Sequence, residues 1–436
     1  MPSSRPSNRR RFLRRCAATI GALTLPTIIP RRALASADSP GANDRIGIGY
    51  IGFGRRAPQI GLSREAATVA VSDCHLGRAE TTAARYGALA FQDYRKMLER
   101  PEIDAVIVAT PDHWHALASI HACQAGKDVY CEKPLSLTIR EGRAMVAAAR
   151  KHGRVFQTGS QQRSDAKCRL GCELIRNGRI GRIVRVLAAN YPSPWNCALP
   201  GEPAPDGLDW DLWCGPTQPR PFHAELYPCR AKPGWCSFRD YSGGEMTGWG
   251  AHGLDQVQWA LGTDDTGPVE LWTEGERFDP PTYTEPESKA RGDAICSKPK
   301  ILMRYASGTI LEFGGGPGGG AVFIGEKGRI TIDRGSLKAD PSELLEAPLP
   351  ADALRLEASD NHVQNWFDCI RSRRKPVADV EIGHRSATLC HLGNIARWLS
   401  RRAVWDPARE VFPGDDEANA LLDRPRRKPY ELPDVT

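Results

Sequence analysis

Three glycines stand where an apolar run gives out. Gly49, Gly52 and Gly54 form Gly49-x-x-Gly52-x-Gly54 across the end of the segment Ile46–Ile51. Their missing side chains permit a tight turn and let a pyrophosphate approach the backbone. A helix opening just beyond adds free N–H groups and a partial positive charge for the phosphates. The next apolar run ends in Asp73, 19 residues after Gly54. A carboxylate there accepts both hydroxyls of an adenosine ribose and repels a 2′-phosphate, which favours NAD. Arg55, Arg56 and Arg78 lie close in sequence, so NADP is not excluded.

These groups need a frame that gathers strand ends. Ile103–Thr110 reads as a buried strand, followed by Pro111-Asp112-His113-Trp114-His115 and a helix over Ala116–Gly126. Strand Asp128–Cys131 leads into Glu132-Lys133-Pro134, then helix Thr138–His152 and strand Val155–Thr158. Strand and helix in alternation predict an α/β fold, a Rossmann-type doubly wound parallel sheet. Ligands of such sheets bind beyond the carboxyl ends of the strands, where Thr110, Pro111, His113, Glu132 and Lys133 fall. This NAD(P)-binding domain is placed at 45–164.

Residues 165–436 read as a second, α+β domain. Helix Asp165–Asn177 and strand Ile183–Ala189 open it, and 191–240 is a long segment rich in Pro, Trp and Cys. Such a loop inside a compact domain shapes a site or an interface. Its Trp195, Trp210, Trp213, Trp235 and Tyr227 are candidates either to stack on sugar rings or to anchor a core. Strands are expected near Val269–Glu274, Ile301–Tyr305, Thr309–Phe313 and Arg329–Asp333, and helices over Asn361–Arg371 and His384–Ser400. The glycine run 314–320 reads as a turn, because no Lys-Ser/Thr follows it as in a phosphate loop. The stretch from Trp405 onward is expected over the surface or a neighbouring subunit.

Composition excludes several classes. With 436 residues, 41% apolar and 25% charged, the chain is neither disordered nor a polytopic membrane protein. The net charge of +7 resides in residues 1–35, which hold eight arginines and no other charged residue; the rest carries 51 basic against 52 acidic groups. The body therefore makes no electrostatic case for nucleic acid. Those first 35 residues read as a twin-arginine export signal: Asn8-Arg9-Arg10-Arg11-Phe12-Leu13-Arg14, a mildly apolar Cys16–Pro30, and Ala33-Leu34-Ala35 for cleavage. Residues 36–44 are a linker. A soluble periplasmic protein is expected, exported folded by the Tat machinery and with no membrane contact after cleavage. The 13 cysteines include no C-x-x-C and no zinc-ligand spacing, so no metal is expected. Cys197, Cys214, Cys229 and Cys236 cluster in sequence, without an assignable pairing.

Glu132-Lys133-Pro134 directly after a strand, with the glycine turn and Ala109-Thr-Pro-Asp-His-Trp-His115, resembles the glucose–fructose oxidoreductase/inositol dehydrogenase (Gfo/Idh/MocA) family. The resemblance continues through Leu208-Asp-Trp-Asp-Leu-Trp213, Gly243-Gly244 to Asp255, and Gly325-Glu-Lys-Gly328. It implies a mostly antiparallel, open-faced sheet in the second domain, a homo-oligomer, and chemistry on sugars, polyols and their derivatives. It also implies that Lys133 sits beside the nicotinamide and that His252 joins it in catalysis. A cationic ring ~6 Å from an ammonium, at an effective dielectric near ~20, repels it by about 3 kcal/mol and favours proton release. Many family members carry Asp four residues before the histidine, where this chain has Gly248. Asp240, Tyr241, Glu245 or Asp255 are candidates to help His252, and Gln161, Arg163, Trp249 and Asp255 are candidate substrate contacts.

Three functions fit these residues. The first is an exported NAD-dependent oxidoreductase acting on a sugar-type hydroxyl. The second is an NAD-dependent glycosidase that oxidises transiently, eliminates the glycosidic bond and recycles its cofactor. The third is a non-catalytic carbohydrate-binding or scaffold protein, for which Gly248 speaks.

Overall fold

A computed structural model describes residues 44–230, 233–285 and 289–435. The export signal read over 1–35 and the linker up to residue 43 lie outside the described residues. The run Ile46–Ile51 forms strand β1, buried at every position because neighbouring strands and helices enclose it. The other strands of this sheet are β2 (Ala66–Ser72), β3 (Leu89–Phe91), β4 (Ala105–Val108), β5 (Asp128–Cys131) and β6 (Phe156–Thr158). Their order is β3-β2-β1-β4-β5-β6, all parallel, so the winding reverses between β1 and β4. That is the crevice where an open α/β sheet binds its ligand.

The crossovers are helices α1 (Leu76–Tyr86), α2 (Tyr94–Leu98), α3 (Asp112–Gln124) and α4 (Ile139–Lys151). Strand β3 and helix α2 escape the sequence reading because three and five residues are too short for a periodic pattern. Helix α3 starts four residues before the expected Ala116, with Pro111 at its N-cap. Its residues Asp112–Ile120 are all buried, so no amphipathic stripe announces it. Helix α4 shows the opposite case. Thr138 accepts from the Glu141 N–H at 3.2 Å while the Glu141 carboxylate accepts from the Leu137 N–H at 2.9 Å, and the strong local cap made this helix readable.

The second sheet contains β7 (Ile183–Ala188), β9 (Pro268–Glu274), β11 (Lys300–Tyr305), β12 (Ile310–Phe313), β13 (Ala321–Gly325), β14 (Gly328–Asp333), β15 (Ser336–Asp340) and β16 (Ala403–Val404). A two-residue pair, β8 (Asn196–Cys197) with β10 (Thr282–Tyr283), lies apart. The sheet order is β15-β14-β13-β7-β12-β11-β9-β16, antiparallel except for β7 against β12. The glycine run 314–320 joins β12 to β13, as a turn. One face packs on α5 (Ala166–Arg176), α8 (Gly250–Leu261) and α11 (Val380–Leu399) through one apolar cluster that includes Val186, Phe323, Leu254 and Leu392. The other face is open and carries ion pairs such as Arg304–Glu270 at 2.9 Å.

Shorter helices complete the fold: α6 (Trp210–Cys214), α7 (Glu245–Gly248), α9 (Lys289–Cys296), α10 (His362–Ser372) and α12 (Asp416–Asn419). Two late segments return to the first sheet. Trp366 and Phe367 of α10 are fully buried in the cluster that contains Ile48, Tyr50 and Val71. Tyr430 packs edge-on against Trp114 with ring centres 5.4 Å apart. The C-terminal stretch runs over the surface of this chain, most of its residues exposed or half-buried, and is pinned by the buried Trp405, Phe412 and Tyr430. Its aromatic anchors are too widely spaced to form a periodic pattern.

Candidate active site

A cavity of about 1120 Å³ opens at the carboxyl ends of β1, β2, β4 and β5 and reaches α7 and the start of α8. Its nucleotide end is built by backbone. Gly52 has φ +79°, and a Cβ there would stand 2.9 Å from Thr110 Cγ2 and 3.1 Å from the Ala109 carbonyl oxygen. Only glycine makes this turn. A Cβ at Gly54 would meet nothing within 4 Å, so the chain leaves open space where the glycine turn faces the cavity. Thr110 and Pro111 line the same wall, and Thr110 Oγ1 is buried with no hydrogen-bond partner among the described residues.

Asp73 follows β2 directly. Its carboxylate accepts from the Phe53 and His75 N–H groups, each at 2.9 Å, which fixes it at the glycine turn. Arg78 stands 3.3 Å from the same carboxylate and donates to the Tyr227 hydroxyl at 2.7 Å. This arginine is thus engaged by Asp73 and not held clear for a 2′-phosphate. Open glycine turn, ribose carboxylate and waiting hydroxyl together fit a dinucleotide.

The other end is built by side chains from distant segments. Lys133, just past β5, donates from Nζ to the Gly248 carbonyl at 2.9 Å. Glu132 beside it accepts from Arg56 at 2.8 Å and from Gln161 at 3.0 Å. His252 sits in the first turn of α8, 7% exposed, with Nδ1 buried and unpartnered among the described residues. Burial, and then the positive charges of Lys133, Arg334, Arg56 and Arg230, push His252 well below the usual histidine range, so it is a neutral imidazole. Trp249 lies 5.7 Å from it, ring centre to ring centre, and is 44% exposed. An open indole on a cavity wall is a surface for the apolar face of a ring-shaped ligand.

Family models match most of the described chain. Residues 46–160 match the oxidoreductase family's NAD-binding Rossmann fold, and residues 190–432 match its C-terminal alpha/beta domain. The chain belongs to the Gfo/Idh/MocA oxidoreductase family. It is 43% identical over 96 residues to 1,5-anhydro-D-fructose reductase of Ensifer adhaerens, covering 22% of this chain and 29% of that protein. It is 29% identical over 170 residues to myo-inositol 2-dehydrogenase of Thermotoga maritima, covering 37% of this chain and 47% of that one. In each case the chain spans less than half of the relative. The crystal structure of aldose-aldose oxidoreductase from Caulobacter crescentus, complexed with glycerol, superposes with TM-score 0.56 at 19% identity. It covers 83% of this chain and 99% of its own, and establishes the shared fold.

Within this Gfo/Idh/MocA chain, several candidate residues stand away from the cavity. Gly49 lies inside β1, where a Cβ would press on Met97 and Ile103 at 3.0 and 3.2 Å. It serves strand packing. His113 is in α3, bonded through Nε2 to the Trp213 carbonyl at 2.8 Å and packed on Tyr241. Arg163 and Asp255 are both 1% exposed and pair with each other, Nε to Oδ1 at 3.0 Å. Arg163 also holds Asp264 at 2.7 Å, and Ser386 donates to Asp255 at 2.7 Å. As substrate contacts both are corrected: a buried, mutually neutralised pair cannot reach a ligand. Gln161 and Trp249 do line the cavity, while Asp240 is bound to Arg220 at 2.6 Å.

The Gly248 position has a physical occupant. A Cβ there would stand 2.8 Å from both Arg230 Nη2 and Glu245 Oε2. These two side chains are paired at 2.9 and 3.0 Å, so an ion pair fills the space in which a side chain at 248 would begin. Arg230 and Arg334 were missed from sequence. Both are single arginines in irregular segments, with no local signal to mark them. The tryptophans of 191–240 are mostly core, Trp195 at 2% and Trp213 at 4% exposed. Of the four neighbouring cysteines, Cys229 and Cys236 face one another, Sγ to Sγ at 2.7 Å. Among the described residues no group of three or more His, Cys, Asp or Glu is placed to hold a metal ion.

Proposed function

We propose that the protein is an NAD-dependent oxidoreductase that moves hydride between its nicotinamide cofactor and a hydroxyl-bearing carbon of a sugar, polyol or sugar derivative. One observation carries this reading: Lys133 and His252 meet in the same cavity as the Gly52–Gly54 turn and Asp73. Bound there, the nicotinamide supplies the hydride acceptor. Lys133 keeps one N–H on the Gly248 carbonyl and has two left to hold the substrate oxygen. The neutral His252 imidazole accepts the hydroxyl proton, and the Lys133 ammonium stabilises the charge left on oxygen. Trp249 offers its open face to the sugar ring.

Export belongs to the same reading. Arg9-Arg10-Arg11 and Ala33-Leu34-Ala35 support folded transport to the periplasm, which lets a cytoplasmic cofactor travel inside the protein. Among the described residues no helix is long and apolar enough to cross a membrane. A homo-oligomer built on the open face of the second sheet completes the proposal. The test is the mass and absorbance of nucleotide that copurifies, followed by a sugar panel read at the nicotinamide band. Protein that neither retains nor binds NAD(H) refutes the function. Glycoside hydrolysis without accumulating NADH would redirect it to transient oxidation. Replacing Arg9 and Arg10 by Lys and following the protein's compartment tests export.

A further inference from the structure

Two of the cations at the catalytic end of the cavity have no ion-pair partner among the described residues. Four cations line it: Arg56, Lys133, Arg230 and Arg334. Arg56 is paired with Glu132 at 2.8 Å and Arg230 with Glu245 at 2.9 Å. Lys133 donates to the Gly248 carbonyl, and Arg334 to the neutral Gln162 Oε1 at 3.3 Å. Among the described residues neither Lys133 nor Arg334 meets a carboxylate within ion-pair distance. Two further acids line the cavity but stand beyond ion-pair distance of Lys133 and Arg334. Asp112 is buried and accepts from the Ser242 hydroxyl at 2.8 Å, and Asp165 caps α5 and takes the Gly335 N–H at 3.1 Å.

Arg334 stands in the turn between β14 and β15, its guanidinium carbon 5.5 Å from the centre of the Trp249 ring. The His252 ring is 5.7 Å from the same indole, centre to centre. The proton acceptor and a guanidinium thus both lie against the one indole. A guanidinium presents paired donors that match a carboxylate and gains little from a neutral hydroxyl.

We propose that the substrate is an acidic sugar, a uronate or related carboxylate-bearing ring, held on Trp249 with its carboxylate on Arg334. This rests on the oxidoreductase reading of the same cavity. Lys133 remains with the reacting oxygen, so one cation without an ion-pair partner serves chemistry and the other serves recognition. The bound carboxylate also offsets the charge that an oxidised nicotinamide brings into the cavity.

The test uses full-length protein loaded with NADH and binding calorimetry at low salt. The probes are matched pairs, methyl glucoside with methyl glucuronide and methyl galactoside with methyl galacturonide. At least one uronide binds roughly ten- to a hundredfold tighter than its neutral partner, the range of a charged hydrogen-bonded contact. Arg334→Gln lowers that ratio about tenfold. Equal affinity within both pairs, or no uronide binding, overturns the inference. So does an Arg334→Gln protein that loses NADH and keeps the uronide preference, because Arg334 then serves the cofactor. Neutral sugars that reduce NAD as well as uronides refute the inference and leave the oxidoreductase reading standing. Uronide binding without any change at the nicotinamide band does the reverse.

Discussion

Lys133 reaches from the end of β5 to the carbonyl of Gly248 at 2.9 Å, a bond between residues 115 positions apart. It ties the first sheet to the end of α7, two residues before the helix that carries His252, so the two groups proposed for the chemistry share one short link. The Gly248 carbonyl orients the ammonium without neutralising it.

Lys133→Met removes the charge and keeps most of the volume. The turnover number is expected to fall by roughly 10²- to 10³-fold, the usual worth of one positioned donor to a developing oxygen charge. Copurifying nucleotide should remain, since Asp73 and the glycine turn are untouched. Steady-state rates and nucleotide content check this, and undiminished turnover removes Lys133 from the chemistry.

Gly248→Asp drives a Cβ against Arg230 and Glu245, each 2.8 Å away, and sets a second carboxylate beside the first. Both atoms are the far ends of flexible side chains that can swing aside, and Arg230 offsets part of the repulsion, so the expected cost is about 1 kcal/mol or less. Adding Glu245→Ala should recover most of it, because the competing carboxylate is gone. Thermal unfolding of the single and double variants decides; additive losses would mean the two positions do not share the space.

Acid should weaken the fold before it affects any surface pair. Burial holds His113 and His362 down at about 4 and His391 at about 3. Below about 6.5 the unfolded chain binds protons that these folded sites refuse, so stability present above 6.5 is lost as pH falls towards 4. Between pH 6.5 and 5 each contributes a loss of about 2 kcal/mol. His115 behaves differently. Burial opposes its charge, yet Cys131, Asp112 and the Pro134 carbonyl hold it up at about 10, so its contribution is kept below 6.5 and lost only as pH rises towards 10. Urea unfolding at pH 7 and pH 5 measures the acid side. A flat profile would show these histidines accessible to protons.

Arg163→Met leaves Asp255 buried beside Ser386 without its cation. The expected cost is about 3–5 kcal/mol of stability, with sugar affinity unchanged in whatever folds. If the variant keeps its melting temperature and loses sugar binding instead, Arg163 has a direct contact that its burial denies.

Oxidised glutathione should join Cys229 to Cys236, whose sulfurs stand 2.7 Å apart. Two thiols lose two protons and two electrons, glutathione is reduced, and one S–S bond forms. Alkylation of the denatured protein should then label Cys197 and Cys214 but not the pair, and trypsin should release two linked peptides cut after Arg230. Labelling of all four cysteines counts against the pairing.

The parts of this protein that were readable from the chain are those whose causes are local. The apolar runs Ile46–Ile51 and Asp128–Cys131, the glycine turn with Asp73, and the capped helix after Thr138 each depend on neighbours within a few tens of residues. Where a helix is buried on all sides, as over Asp112–Ile120, the period disappears and its start is misplaced. Three-residue strands such as β3 leave no pattern at all.

Candidate roles were readable less evenly. Lys133 and His252 carried a motif, whereas Arg163 and Asp255 looked like polar residues at the mouth of a site and are a buried pair. By itself, then, the sequence determined a dinucleotide-binding parallel sheet and a family motif at Lys133. The tertiary structure alone decided that His252, Trp249 and Arg334 share one wall, that Glu245 and Arg230 occupy the space at Gly248, and that α10 completes the core of a sheet formed some 300 residues earlier. The reason is physical. A turn or cap is set by dihedral preferences and adjacent donors, but which side chains meet across a cavity depends on strand register and packing summed over the whole fold.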